Sequence, residues 1–216
     1  MTPREHRIHV RRSARFYTLG DPGPELKECW LVCHGYGQLA GRFAQSFEHI
    51  MSPQRCLIFP EGLSRFYLDD EMRHKVGASW MTKEDREAEM ADYVAYLDAV
   101  YEQVMRGDAG VQVTALGFSQ GAPTVSRWIA FGRHTVERLI LWGGDLPPDL
   151  DLAAGAGRFA KLEVVMVRGR QDEYITEKVL RGALKRLTDH GIKHRLVEFE
   201  GGHDLDGEVL RTLGRA

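Results

Sequence analysis

The segment with the clearest capacity for chemistry is GFSQG, residues 117–121, which matches the pattern G-x-S-x-G. An apolar run that predicts a strand precedes it and helical spacing follows it, as this motif requires. A strand that turns abruptly into a helix strains the backbone at the serine, and only small residues two positions away leave room for the turn. The pattern predicts that Ser119 is a nucleophile at the positive end of a helix. The alternative is a serine that only caps the helix.

A serine hydroxyl is a poor nucleophile near pH 7, so Ser119 needs a general base and a group that orients the base. Hydrolases with this motif place the acid and the histidine after the serine, in that order. His203 lies in the segment GGHDL, directly after the last predicted strand, where glycines favour a tight loop. We therefore expect His203 to be the base, the alternative being a solvated loop histidine.

The orienting acid is predicted to be Asp172, which follows the apolar strand segment LEVVMV. Other carboxylates lie after a neighbouring strand or beside these residues, and they remain alternatives: Asp145, Glu173 and Asp204. An acid that does not serve the base would cap a helix or a loop instead.

An acyl-transfer site also needs hydrogen-bond donors for the oxygen that becomes negative in the transition state. The segment HGYG, residues 34–37, follows the predicted strand WLVC, and its glycines allow backbone N–H groups to point into a site. We assign the backbone N–H groups of Tyr36 and Gln120 as the two donors. His34 is expected to hydrogen-bond the loop, since the donor at this place is the backbone.

The three predicted catalytic residues each follow a separate strand and occur in the order that a serine hydrolase requires. Ser119 and Asp172 are 53 residues apart, and Asp172 and His203 are 31 apart, which leaves room for the intervening strands and helices. The combination predicts a serine hydrolase. The alternatives are another acyl-transfer or peptidase activity on the same fold, or a binding scaffold without catalysis.

These motifs resemble the phospholipase/carboxylesterase family of α/β-hydrolases, which includes acyl-protein thioesterases. The resemblance runs from HGYG through GFSQG and GRQDE to GGHDL, which is nearly the whole chain. It implies hydrolysis of carboxylic esters or thioesters without a cofactor, a small-molecule substrate, and the same triad and oxyanion donors. Tyr36 stands where the family often has an aliphatic residue, and the segment 62–81 is only loosely similar to the family's.

The segment 62–81 leaves a predicted strand near the site and is expected to shape the substrate pocket. Its apolar side chains could line that pocket: Phe66, Tyr67, Leu68, Trp80 and Met81. For Trp80 and Met81, a place in the core under the following helix is an equal alternative.

The elements that must hold these residues alternate between strand-like and helix-like segments. Strands are predicted near residues 8–11 and over 30–33, 56–60, 111–117, 136–143, 162–169 and 194–199. Helices are predicted over 40–50, 120–131 and 174–190, and a short one from about residue 205. A long helix is predicted from Thr82, which would cap it with Asp85 as its partner, to Gly107. Strands that alternate with helices indicate a mostly parallel sheet. We expect one α/β domain over residues 1–216, a three-layer sandwich whose ligand site lies at the carboxyl ends of the strands.

Composition limits the other functions. The 216 residues carry 29 Lys and Arg against 31 Asp and Glu, a net charge of −2 that argues against a nucleic-acid binder. No apolar run approaches the length of a membrane span, and the charged first 17 residues do not fit a signal peptide. Cys29 and Cys33 are too far apart along one strand to pair, so a cytoplasmic location is expected. The histidines near the N-terminus have no metal-ligand spacing, and no metal is expected.

Overall fold

A mixed seven-stranded sheet forms the centre of the computed structural model, which describes residues 2–68, 75–105, 110–153 and 156–215. The nine strands are β1 (Phe16–Leu19), β2 (Glu28–Cys33), β3 (Arg55–Pro60), β4 (Ser64–Tyr67), β5 (Val76–Ser79), β6 (Gln112–Phe118), β7 (Arg138–Trp142), β8 (Glu163–Gly169) and β9 (His194–Phe199). The large sheet has the order β1-β3-β2-β6-β7-β8-β9, and β1 alone is antiparallel to its neighbour.

Helices cover both faces of this sheet. They are α1 (Ala40–Ala44), continued by a 3-10 helix (Gln45–Ile50), α2 (Arg86–Met105), α3 (Gly121–Phe131), α4 (Ala156–Phe159), α5 (Glu177–Asp189) and α6 (Gly207–Leu213). Alternate strand residues enter two separate cores: Leu31 packs with α2 and α3, whereas Trp30 packs with α1 and α6. Burial on both faces explains why the strands read as continuous apolar runs. The three-layer α/β prediction is therefore confirmed.

Two local predictions are wrong. Residues 8–11 form no strand: Ile8 and Val10 are 83% and 74% exposed, and the first strand begins at Phe16. The alternation of apolar and polar residues suggested a strand, but in the described residues this segment has no partner strand that could bury its apolar side. Thr82 does not cap α2, which begins four residues later, because the Glu89 carboxylate accepts the Thr82 N–H and holds this residue in the preceding loop. Gly107, the expected end of the helix, lies outside the described residues.

The segment between β3 and α2 contains a β-hairpin that the periodicity did not predict. Strands β4 and β5 pair antiparallel and form a separate two-stranded sheet. The strands hold four residues each, so they are too short to show a reliable alternation. Their importance lies in what they touch, since β5 packs directly on the loop that follows β2.

Candidate active site

Ser119 stands at a strained turn between β6 and α3. Its φ is +51°, a left-handed conformation that is uncommon for a residue with a side chain. A Cβ on Gly117 would lie 2.2 Å from the Gly121 carbonyl oxygen, and one on Gly121 would lie 2.1 Å from that of Cys33. Both glycines are thus required by close backbone approach, which is the steric reason for the G-x-S-x-G pattern.

Asp172 and His203 form a hydrogen-bonded pair at the carboxyl edge of the sheet. His203 Nδ1 lies 2.8 Å from Asp172 Oδ2, and the other carboxylate oxygen accepts the N–H groups of Tyr174 (2.8 Å) and Ile175 (2.9 Å). Burial by itself would raise the pKa of Asp172, but these hydrogen bonds outweigh burial and lower that pKa below its usual value. A charged Asp172 holds the proton on Nδ1 of His203 and leaves Nε2 free to accept another.

Ser119 and His203 flank the same two glycines after β7. A Cβ on Gly143 would meet the imidazole of His203 at 3.0 Å, and one on Gly144 would meet the Ser119 carbonyl oxygen at 2.8 Å. The Phe118 ring, next to the serine, lies 5.0 Å from the His203 ring. Within the described residues no hydrogen bond joins the serine hydroxyl to His203. Such contacts are often loose before substrate binds.

The alternative acids do not contact His203 through their carboxylates. Asp145 accepts the N–H of Leu146 at 2.6 Å, and burial raises its pKa. Glu173 is exposed, and the exposed Asp204 contributes its backbone oxygen to the indole N–H of Trp142. Asp172 is therefore the residue that the structure brings to the imidazole.

The two N–H groups expected to bind an oxyanion are both unpaired. The loop between β2 and α1 lies against the nucleophile, since a Cβ on Gly35 would meet the Ser119 Cβ at 3.2 Å. In the described part of the chain the N–H groups of Tyr36 and Gln120 have no acceptor, whereas the next N–H, that of Gly37, donates to Ala78 O at 2.9 Å. Free N–H groups beside the serine are what a developing negative oxygen needs.

The hairpin β4–β5 holds this loop in place, and the side chain of Gln120 binds the end of the hairpin. Ala78 in β5 donates to Gln38 O at 3.1 Å, and a Cβ on Gly77 would lie 2.4 Å from the Gly37 oxygen. The Gln120 amide donates to Met81 O at 2.9 Å. The turn at Ser119, the loop after β2 and the end of the hairpin are thus joined by short polar contacts.

His34 is structural in its contacts, as the sequence indicated. It is fully buried, its Nδ1 donates to Gly35 O at 2.7 Å, and its Nε2 accepts the N–H of Gly62 at 3.0 Å. Burial lowers the pKa of His34, in agreement with a neutral ring that both donates and accepts.

A cleft of about 460 Å³ opens beside Ser119, between the first turns of α3 and the loop after β7. Its wall includes apolar groups and two arginines: Met81, Pro123, Leu146, Pro147, Pro148, Tyr174, Ile175, Arg86 and Arg127. Asp145 also lines it.

Of the five residues expected to form the pocket, only Met81 lines this cleft. Trp80 is 2% exposed and packs in the core against Tyr93, with its indole N–H donating to His34 O at 2.8 Å. Phe66 stacks on Tyr36 with ring centroids 5.0 Å apart. Tyr67 and Leu68 are exposed and do not line this cleft, but Leu68 lines a second cavity with Gly37 and Gln38.

Sequence reasoning missed most of the cleft wall. Tyr174 is 72% exposed, and its ring lies 4.6 Å from that of His203. Its position two residues after the predicted acid was an available signal, whereas nothing in the spacing connected Arg86 with Arg127. The ion pairs of both with Asp149 depend on three segments distant in sequence.

Comparison with known proteins agrees with the fold and identifies the family. Residues 22–215 match the model of the family described as phospholipase/carboxylesterase. No curated protein sequence matches the chain.

Among the helices of the described residues, none has the length and apolarity needed to cross a membrane.

Solved structures of similar fold include esterases and thioesterases. Acyl-protein thioesterase 2 from Zea mays is 17% identical, with 94% of this chain and 97% of that chain covered and a TM-score of 0.73. Esterase PE8 is 20% identical, with coverage of 94% and 97% and a TM-score of 0.69. A carboxylesterase from Mesorhizobium loti is 19% identical, with 93% of each chain covered and a TM-score of 0.68. At these identities the likeness shows the fold.

Proposed function

This chain belongs to the phospholipase/carboxylesterase family, and from that premise we propose that it hydrolyses carboxylic esters or thioesters through an acyl-enzyme at Ser119. The observation that carries the proposal is the pairing of His203 with a charged Asp172 beside a strained serine turn. The unpaired N–H groups of Tyr36 and Gln120 support it.

The reaction begins when Ser119 Oγ attacks the carbonyl carbon and His203 Nε2 takes the hydroxyl proton. Asp172 keeps the imidazole oriented and stabilises its charged form. The backbone N–H groups of Tyr36 and Gln120 bind the oxygen of the tetrahedral intermediate. His203 then gives its proton to the departing alcohol or thiol, which leaves an acyl group on Ser119.

Water completes the cycle by the same steps. His203 takes a proton from water as the water attacks the acyl carbon, and it returns that proton to Ser119 when the acyl bond breaks. The products are a carboxylic acid and free enzyme, so the only co-reactant is water.

The first test is covalent labelling by a fluorophosphonate, located by mass spectrometry of peptides. We expect the label on Ser119 in the parent and no label in Ser119→Ala. The control is Ser46→Ala, which replaces an exposed serine outside the G-x-S-x-G segment and should be labelled like the parent. Hydrolysis of an activated ester should fall by several orders of magnitude in Ser119→Ala. Full activity in that variant contradicts the proposal, and an unreactive parent indicates a binding scaffold.

A panel of short esters, acyl thioesters and small amides then separates this function from a peptidase. Turnover of the esters or thioesters with no turnover of the amides supports the proposal. Preferential cleavage of the amides would assign the site to peptide chemistry.

A further inference from the structure

The far wall of the cleft beside Ser119 presents two guanidinium groups. Arg86 begins α2 and Arg127 lies in α3, and both line the cleft. Each pairs with Asp149 at 2.8 Å, but Asp149 is outside the cleft lining. The cleft is therefore lined by both cations but not by the carboxylate that they share.

Asp149 carries one negative charge against two guanidinium groups, and Glu87 and Glu89, which follow Arg86 in the first turn of α2, do not line the cleft. Arg127 is 5% exposed and also contacts the Tyr93 hydroxyl at 3.4 Å. Arg86 contacts Asp149 through Nη2, and among the described residues its Nε and Nη1 have no acceptor. Its side chain is 40% exposed, which leaves N–H donors available to a ligand.

The position of Arg86 does not favour the helix that it begins. It is the first residue of a 20-residue helix, where a cation opposes the helix dipole. An anion at the same place would be favoured both by the dipole and by the guanidinium.

Between Ser119 and the arginines the lining is largely apolar, with Gln120 and Thr124 as its polar residues. Met81 and Pro123 belong to it, and the Met81 sulfur lies 3.6 Å from Arg127 Nη1. At ~1.5 Å of rise per residue, Arg127 stands roughly 9 Å further along α3 than Gly121. A ligand that reaches from the serine to the cations needs a short apolar chain before its charge.

The remaining carboxylate in the cleft restricts where that charge can lie. Asp145 lines the cleft next to Gly144, which contacts Ser119. It repels a negative charge close to the reacting carbonyl. An anion is thus favoured only at the distal, arginine end.

The cleft takes the acyl part of the substrate. A leaving group must contact His203, which protonates it, and His203 is not among the residues that line the cleft. The acyl substituent is the part of the substrate that remains to occupy this space.

Resting on the proposed function, we propose that the preferred acyl group carries a terminal carboxylate, as in the half-ester of a short dicarboxylic acid, and that Arg86 binds that carboxylate. Charge-assisted hydrogen bonds from a guanidinium are among the strongest that a binding site can offer.

The test compares monoethyl glutarate with its uncharged isostere, the ethyl ester of glutaramic acid, by ethanol release. The acidic ester should have the higher kcat/KM, by about tenfold or more. Arg86→Met should reduce the ratio of the two kcat/KM values by about tenfold, and Arg86→Lys should restore part of it. Asp145→Asn should raise the ratio, because it removes the repulsive charge.

The control is Arg133→Met, an exposed arginine that pairs with Glu102 outside the cleft, and it should not change the ratio. A parent ratio near one, or a ratio that Arg86→Met does not change, overturns the inference. Failure to hydrolyse either ester while Ser119 is labelled also overturns it. If Ser119 is not labelled, the proposed function fails as well, so the two failures are distinguishable.

Discussion

Asp172 differs from the other carboxylates near the site in the number of hydrogen bonds that it accepts. The N–H groups of Tyr174 and Ile175 bind one oxygen, and His203 binds the other. A carboxylate that is nearly buried and fully paired in this way stays charged and cannot rotate. This single residue therefore decides which nitrogen of His203 can take a proton.

At this scale we predict that Asp172→Asn lowers kcat by about three to four orders of magnitude, because an amide does not enforce the proton on Nδ1. The measurement is kcat for an activated ester across the neutral pH range. Asp204→Asn, adjacent to the histidine but without a side-chain contact to it, should stay near the parent rate. Equal losses in the two variants would remove Asp172 from the mechanism.

At the scale of elements, the hairpin β4–β5 supports the loop that carries the proposed oxyanion donor, the N–H of Tyr36. Strand β5 hydrogen-bonds both Gly37 and Gln38, and Gly77 has no room for a Cβ because the Gly37 backbone fills that space. The position of the Tyr36 N–H thus depends on a hairpin that contributes no catalytic group of its own.

We predict that Gly77→Ala displaces this loop and lowers kcat/KM roughly tenfold to a hundredfold, since small misplacements of a donor are costly. Gly23→Ala is the matched control, because a Cβ there meets no atom within 4 Å. Ester hydrolysis and thermal unfolding should be measured for both. If the two variants keep the same rate, the hairpin does not position the donor.

For the molecule as a whole, Asp149 joins segments that the sheet topology brings together. It follows β7 and pairs with Arg127 in α3 and Arg86 at the start of α2. Partial burial by itself would raise the pKa of Asp149, but the two guanidinium groups outweigh it and lower the pKa to about 2. A carboxylate with a lowered pKa stabilises the folded chain above its unfolded pKa, and this contribution disappears as the pH falls toward 2.

We predict that Asp149→Asn lowers the free energy of unfolding at pH 7 by about 1 kcal/mol, a modest value because the carboxylate is partly exposed. The difference from the parent should shrink as the pH falls from 4 to 2. Denaturant unfolding across that range measures it. Asp189→Asn, which breaks an exposed pair with Lys185 within one helix, should show a smaller difference. A difference that grows at low pH would contradict the linkage.

Much of the fold and of the candidate site was predictable because its signals are local in sequence. Strand β9 matches its prediction at both ends, and most other strands in the large sheet begin and end within two residues of theirs. The apolar runs and the glycines beside Ser119 and His203 express short-range steric and burial requirements. The expected strand near Ile8 fails for the converse reason, since a strand needs a neighbour that no local pattern supplies.

Sequence alone determined the class of fold and the family, and it indicated Ser119, Asp172 and His203 as candidate catalytic residues. It could do so because the strained turn and the strand ends that these residues require produce sequence patterns only a few residues long. Only the tertiary structure decided that Trp80 is core and that Arg86 and Arg127 face one cleft. Those outcomes depend on how distant segments pack, and packing against remote neighbours leaves no periodic trace in the chain.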